Sequence, residues 1–483
     1  MKKKSAFSHF AVIASGSFMN ILVGVLTTPI ITRLVDPISY GQFSIFSLYE
    51  NIGVMIFCLG MDQTLIRYFY TKDELIYKRT LLWKCLLYPI VSLLLLSAVF
   101  ILLIVFKVVD FEFNLYVTIA LVVLIAITVL NRFSSLLLRL TYFTKLFSTL
   151  LVSRKAIYAL VASALAYYVG SHYFEILIFA TLLSIAITTT VCVVKNRNLW
   201  FGEIESSLIP PRNELFKYGF PFILSMGIVA VFQSVSQFTL KAYTNYGQVG
   251  TFAAAMTLVH IFAILQSGVN MLWSPMATEH FEKHPDDKSF YIKGNSYITI
   301  VMFIFGITAI AFKDVLALLL GERFRDASYL FPCLIFIPIM YTISETTVMG
   351  INFSKKSHFH IWSAVVSLFV SLIVNLLLIP SYGAKGAAIA SAISYIAFFT
   401  TRSYFAQKCY PIDFNFIKIY VVTFVVFVYA IVNTINSSLL YNLLGCILSM
   451  IATLAIYRRE SLEVVSYAYT SAKKMFSRTS NSF

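Results

Sequence analysis

Charge is scarce in this chain of 483 residues: Asp, Glu, Lys and Arg together make up 12%, about half of the roughly 25% usual for a soluble domain. So few ionic side chains cannot wet the surface of a protein this size, and with no polar segment longer than about 25 residues there is no room for a large soluble catalytic domain. Acidic residues are the rarer sign, 22 against 37 Lys and Arg. The six cysteines (Cys58, Cys85, Cys192, Cys333, Cys409 and Cys446) show no paired spacing and five of them fall in apolar runs. They read as small packing residues and point to neither a disulfide framework nor a zinc site. There is no Gly-x-Ser-x-Gly, no Walker loop and no dinucleotide fingerprint, so ATP is not expected to drive this chain directly and no cofactor is expected. His280-x-Glu282-x-His284 has a metal-like spacing, yet it lies in a charged loop and lacks the His-Glu-x-x-His order, so it reads as a solvated polar loop.

What is present in excess is apolar length. Hydrophobic residues reach 59% and the mean hydropathy is +0.82, the composition of a polytopic membrane protein. About fourteen apolar runs are expected to cross as helices, each near the 20 residues that span ~30 Å of hydrocarbon. The start, Met1-Lys-Lys-Lys4 before an apolar run, imitates a signal peptide, but the run is too long and has no small-x-small cleavage site, so it reads as the first span. With the N-terminus inside, thirty of the 37 basic residues fall in cytoplasmic segments; the other seven, Arg33, Lys107, Lys241, Lys313, Arg323, Arg325 and Lys385, fall outside. That bias places both termini in the cytoplasm and accounts for the net charge of +15 through anionic headgroups rather than nucleic acid. Arg154 and Lys155 interrupt the fifth span and are expected to snorkel to the cytoplasmic boundary. Val315 to Leu320 is too short to cross and is expected at the outer interface.

The first helical pair, His9 to Arg67, carries polar residues inside its apolar runs. Ser17, Asn20, Gly24 and Thr28 recur at steps of three and four, one face of a helix, and Glu50 and Asn51 sit in the second run. A carboxylate at such depth costs roughly 3 kcal/mol on insertion scales, so Glu50 should face a partner or a wet cavity. Further on, Gln233, Gln237 and Lys241 form a stripe on the seventh span, and His260, Gln266 and Asn270 lie on the eighth. Asn20, Glu50, Asn51, Gln233, Gln237, Lys241 and Asn270 are therefore the candidate pathway residues, against the alternative that amides inside membranes simply hold helices together. Sliding the chain by 209 residues lays Gly41-Gln-Phe43 on Gly250-Thr-Phe252, a faint repeat. It supports an all-α fold with two pseudo-symmetric six-helix lobes, 1–200 and 201–408, and two further helices with a cytoplasmic tail over 409–483.

Three stretches carry a family resemblance. They are Thr32-Arg-Leu-Val-Asp-Pro-Ile-Ser-Tyr-Gly-Gln-Phe43 with Gly60-Met-Asp-Gln-Thr-Leu-Ile-Arg67; Leu319-Leu-Gly-Glu-Arg-Phe-Arg-Asp-Ala327; and Asn375-Leu-Leu-Leu-Ile-Pro-Ser-Tyr-Gly-Ala-Lys-Gly-Ala-Ala388. In these the chain resembles the polysaccharide flippases of the multidrug, oligosaccharidyl-lipid and polysaccharide exporter superfamily. The resemblance implies a two-lobed bundle with a central cavity that opens to one side at a time. The implied cargo is an undecaprenyl-pyrophosphate-linked sugar repeat unit, moved from the inner to the outer leaflet of the bacterial plasma membrane for O-antigen (lipopolysaccharide), capsule or exopolysaccharide assembly. The implied partners are that lipid-linked oligosaccharide, membrane lipid, and a polysaccharide polymerase with its chain-length regulator. Some members carry basic cavity residues, whereas the first helix here has none between Lys4 and Arg33.

A sugar head needs a groove of donors and acceptors, because its hydroxyls would lose their hydrogen bonds in hydrocarbon. A pyrophosphate needs cations, and Arg67, Arg154 and Lys155 are the candidates for a first contact at the cytoplasmic side, with orientation signalling as the alternative role. Glu50, and after it Glu345 in the tenth span, are the candidates for coupling transport to an ion such as a proton. Two other classes stay open: a cation-coupled multidrug antiporter of the same superfamily, and a membrane enzyme of polysaccharide assembly, although the longest outer segment offers Asp314, Glu322 and Asp326 but no histidine.

Overall fold

The computed structural model describes residues 3–205, 207, 209–436 and 438–463, and every regular element among them is a helix. Most of the basic C-terminal tail expected in the cytoplasm therefore lies outside the described residues. In chain order the helices are α1 (Lys3–Leu34), α2 (Pro37–Phe57), α3 (Met61–Tyr68), α4 (Leu75–Val105), α5 (Leu115–Leu140), α6 (Thr144–Val169), α7 (Tyr173–Lys195), α8 (Arg197–Trp200) and α9 (Arg212–Tyr243). They continue with α10 (Tyr246–His260), α11 (Ala263–Lys283), α12 (Ser289–Ala311), α13 (Lys313–Ala317), α14 (Ala327–Leu334), α15 (Phe336–Thr347), α16 (Met349–Phe353), α17 (His358–Cys409), α18 (Phe416–Ile435) and α19 (Leu439–Ile456).

Among the described residues eleven helices are long and apolar enough to cross a membrane, and two bent pairs raise the number to 13. One of the pairs is α2 with α3, bent by 49°. The 52 residues of α17 would rise about 78 Å, far more than one crossing of ~30 Å requires. The helix breaks at Gly383 (φ 53°, ψ −133°), three residues after Pro380, and so supplies two spans. Counting α17 twice brings 13 to the fourteen expected from sequence. The chain is a multi-pass membrane protein. Its lipid-facing surfaces are apolar, as at Leu94, Leu95 and Leu96 of α4, each more than half exposed.

The chain forms two compact units. The first comprises Met1–Lys241, Asn245–Ala253 and Leu320–Phe324. Within it, the turn from α1 to α2 is set by Asp36, whose Oδ1 accepts from the Ile38 and Ser39 N–H groups at 2.9 and 3.0 Å, while Pro37 occupies the first helical position, where a missing N–H does no harm. The small face of α1 packs on α6: a Cβ at Gly16 would lie 2.3 Å from that of Ser148, and Ser148 Oγ donates to the Val12 carbonyl at 2.9 Å. Behind this seam Ile31, Val35, Ala162, Leu177 and Ala180 form a buried cluster. The second unit holds Ala254–Leu319 and Arg325–Phe483 with Ala242–Thr244, and has its own buried cluster around Trp273, Tyr291 and Met349. The piece from Val315 onward is no span; α13 is five residues long and its Lys313 is buried beside Asp314 and Tyr329.

Candidate functional site

The helices of the first unit enclose a cavity of about 780 Å³. Its wall from α5 and α6 is basic, with Arg132 and Arg139 on one helix and Arg154 and Lys155 on the other; Glu50 of α2 and Asp62 of α3 are the acidic groups. Asn20, Asn51 and Asn131 add amide groups, and Tyr40, Phe43 and Tyr158 line it with rings.

The charges are held in different ways. Asp62 is 4% exposed, and its Oδ2 accepts from Arg132 Nε at 2.8 Å and Nη2 at 2.6 Å, with Gln63 Nε2 at 3.2 Å. All three contacts fall on this one oxygen, which ties Asp62 to Arg132. Glu50, also buried, accepts one hydrogen bond, from Thr128 Oγ1 at 2.8 Å, and feels the charge of Arg154. The partner expected for this carboxylate is thus a threonine on α5; Asn51 Nδ2 turns back to the Ser47 carbonyl at 2.8 Å. Arg154 makes no hydrogen bond or ion pair among the described residues. Lys155 Nζ donates to the Asn20 carbonyl at 3.0 Å, in space left by Gly24, where a Cβ would sit 2.5 Å from that nitrogen. Arg139 lies over the Phe147 ring at 5.6 Å.

The expectation that Arg154 and Lys155 snorkel to the cytoplasmic boundary does not hold. Arg154 is ten residues into α6, about 15 Å along the helix, and points with Lys155 into the cavity. The cavity supplies the polar groups that make the longer reach unnecessary. Arg67, the third candidate phosphate contact, is exposed at the end of α3 and does not line the cavity.

The stripe on α9 goes elsewhere. Lys241 pairs with Glu112 of the loop between α4 and α5; Glu112 also accepts from the Tyr246 hydroxyl at 2.5 Å and from Tyr49. Gln237 accepts from Ser44 at 3.5 Å, and Gln233 is exposed. Asn270, on α11, and Glu345, on α15, belong to the second unit. There Arg402 donates to Glu345 at 2.8 Å and to Ser344 at 2.7 Å. His280 of the metal-like triplet pairs with Asp287 at 3.0 Å, and no group of metal-binding side chains occurs among the described residues. Sequence reasoning missed Asp62 and Arg132 as members of a site. Arg132 lies eight residues before the end of α5 at Leu140, about 12 Å into the helix, and such a depth for a cation is the signal that could have found it.

Comparison with solved structures places the fold. A lipid II flippase, MurJ, in an inward closed conformation superposes with a TM-score of 0.68 at 12% identity, covering 94% of this chain and 100% of that one. An inward-facing multidrug resistance transporter of the MOP superfamily gives 0.57 at 13% identity, with 80% and 94% covered. A MOP superfamily transporter from Pyrococcus furiosus gives 0.52 at 13%, with 83% and 95% covered. The fold is therefore that of the multidrug, oligosaccharidyl-lipid and polysaccharide superfamily. Residues 7–281, more than half of the chain, match the family described as "Polysaccharide biosynthesis protein", and the chain belongs to that family. A probable low-salt glycan biosynthesis flippase of Haloferax volcanii, Agl15, is 21% identical over 181 residues; the match spans 37% of this chain and 38% of that protein. By name these neighbours and this relative are flippases and transporters, not enzymes.

Proposed function

We propose that this protein flips an undecaprenyl-pyrophosphate-linked oligosaccharide repeat unit from the inner to the outer leaflet of the bacterial plasma membrane, by alternating access, for O-antigen, capsule or exopolysaccharide assembly. The carrying observation is the cavity in the first unit, where four basic side chains face two acidic ones inside an apolar wall. One of the acids, Asp62, is already matched by Arg132, which leaves Arg139, Arg154 and Lys155 to meet an anion. Guanidinium groups bind phosphate oxygens with paired, charge-assisted hydrogen bonds. The amides and hydroxyls replace the hydration of the sugar, while the polyprenyl chain stays in lipid.

In this reading 1–200 and 201–408 are the two moving lobes, 409–483 is appended, and both termini are cytoplasmic, as the basic bias favours. A polymerase and a chain-length regulator would take the product at the outer face. Glu50, opposite Arg154, is the residue on which coupling to an ion would act. The multidrug antiporter is the second reading, favoured by the same buried carboxylate of Glu50.

The test uses the full chain in proteoliposomes with a fluorescent undecaprenyl-pyrophosphate-linked oligosaccharide and a membrane-impermeant quencher. Label protected in empty vesicles is expected to become accessible when the protein is present, and Arg154→Gln is expected to slow this at least tenfold. Folded protein that leaves the label protected but carries ethidium would overturn the proposal in favour of the antiporter.

A further inference from the structure

The cavity is graded along its axis. From the cytoplasmic side, α6 presents Phe147, then Arg154 and Lys155, then Tyr158. Tyr158 is one turn beyond Lys155, about 5 Å farther out. There its ring lies nearly parallel to that of Phe43, with centroids 6.1 Å apart and 13° between planes. The separation and small angle describe an offset-stacked pair, and both residues line the cavity. Phe43 and Tyr158 are backed by the buried cluster of Ile31, Val35, Ala162, Leu177 and Ala180, so the platform is held rigidly from behind. Tyr40, which also lines the cavity and packs on the same cluster, stands edge-on to Phe324 at 5.5 Å.

An aromatic pair is usually core, yet one detail points to an occupant. The Tyr158 hydroxyl has no hydrogen-bond partner among the described residues, whereas the Tyr246 hydroxyl is bonded to Glu112. A phenol at this depth normally finds a partner, and here its open side is the cavity.

We infer that Phe43 and Tyr158 form a carbohydrate subsite, which stacks the sugar ring nearest the diphosphate while Arg154 and Lys155 hold the diphosphate itself. The inference rests on the flippase reading and adds the direction of the cargo. The C–H groups on the flat face of a pyranose carry slight positive charge and meet the negative face of the rings, and the Tyr158 hydroxyl is left to bond a sugar oxygen. One turn between cation and ring matches a sugar attached directly to the phosphate. The sugars then lead toward the outer end, with the diphosphate behind them.

The experiment measures binding of two probes to the full-length protein in lipid nanodiscs: undecaprenyl pyrophosphate, and undecaprenyl pyrophosphate bearing a single N-acetylglucosamine. Tyr158→Leu and Phe43→Leu are expected to weaken the sugar-bearing probe roughly tenfold, equivalent to about 1.4 kcal/mol, and to leave the bare diphosphate lipid unchanged. Tyr158→Phe keeps the ring and is expected to lose only about threefold, which also guards against misfolding of the leucine variants. Arg154→Gln is expected to weaken both probes alike. Leucine variants that elute as folded protein and bind both probes as wild type does, or lose both equally, would overturn the subsite while leaving the flippase reading in place. Wild-type protein that binds neither probe would overturn both.

Discussion

In the second unit the guanidinium of Arg402 is enclosed on every side. It is 6% exposed, paired with Glu345, bonded to Ser344, and lies over the rings of Phe398 and Tyr341 at 5.0 and 5.7 Å. In the first unit Arg154 has no direct partner among the described residues and faces a cavity shared with Glu50 and Lys155. Both arginines sit in apolar helices, and both cost energy to place there. The difference is in what repays that cost: for Arg402 it is the protein itself, and for Arg154 it is left to water or a bound anion. Burial of a charge alone therefore does not mark a functional site. A buried charge whose partners are missing, beside a space large enough for a ligand, does.

Substitutions can break this contrast, and the largest effect belongs to the closed pair. Arg402→Met strands the Glu345 carboxylate and is expected to cost about 3–5 kcal/mol. The readout is the yield of monodisperse protein in detergent, with the double variant Arg402→Met/Glu345→Leu recovering most of it. If Arg402→Met is as abundant as wild type, the pair is not architectural. Arg154→Gln should behave in the opposite way, with normal abundance and thermal midpoint but transport at least tenfold lower. Loss of folded protein in that variant would put Arg154 in the same class as Arg402.

Glu50 separates the two roles more finely. Gln keeps the bond from Thr128 but cannot titrate, whereas Ala removes both. Loss of transport in both variants, with Gln well folded, is the expected result for a coupling group; wild-type polysaccharide export by Glu50→Gln with unchanged pH dependence would end that idea. The smallest effect lies outside the membrane, at Asp36. Partial burial raises its carboxyl, but the Ser39 and Ile38 N–H groups more than offset this and hold it below its ordinary 3.8. A lowered carboxyl stabilises above its unfolded value and stops doing so as pH falls through the folded one. Asp36→Ala should cost about 1 kcal/mol of stability at neutral pH, and thermal midpoints of the two proteins should converge below pH 3.8. The curves should run parallel down to pH 3.8 and draw together only below it; curves that stay parallel well below that pH, or that converge above it, would show that the cap does not titrate as described.

Much of this architecture is legible in the amino-acid order because lipid leaves few choices. Apolar length sets the spans, and Asp36-Pro37 and Gly383 mark where the backbone turns. Inside the spans, polar residues are conspicuous, so Asn20, Glu50, Asn51, Arg154 and Lys155 could be singled out, and the fold brings them to one cavity. Direction was harder to read. Helical spacing puts Gln233, Gln237 and Lys241 on one face but does not say what faces them, and Lys241 meets Glu112, an acid in a short loop with no periodicity of its own. Asp62 and Arg132 stayed hidden for a related reason: their bond joins α3 to α5, and nothing local in either helix requires it.

Gly24 draws the two ends of this problem together. It has no side chain, and the ammonium of Lys155 occupies the room that a methyl would fill. An alanine there would push aside the flexible tip of the lysine, not the helix, and the hydrogen bond to the Asn20 carbonyl would be the first thing lost. Gly24→Ala, ordinarily a mild gain in helix propensity, would act as an electrostatic mutation on a different helix, re-aiming a positive charge without touching its chemistry. The first helix of this protein contains no cation between Lys4 and Arg33, yet by leaving an atom out it decides where one is held.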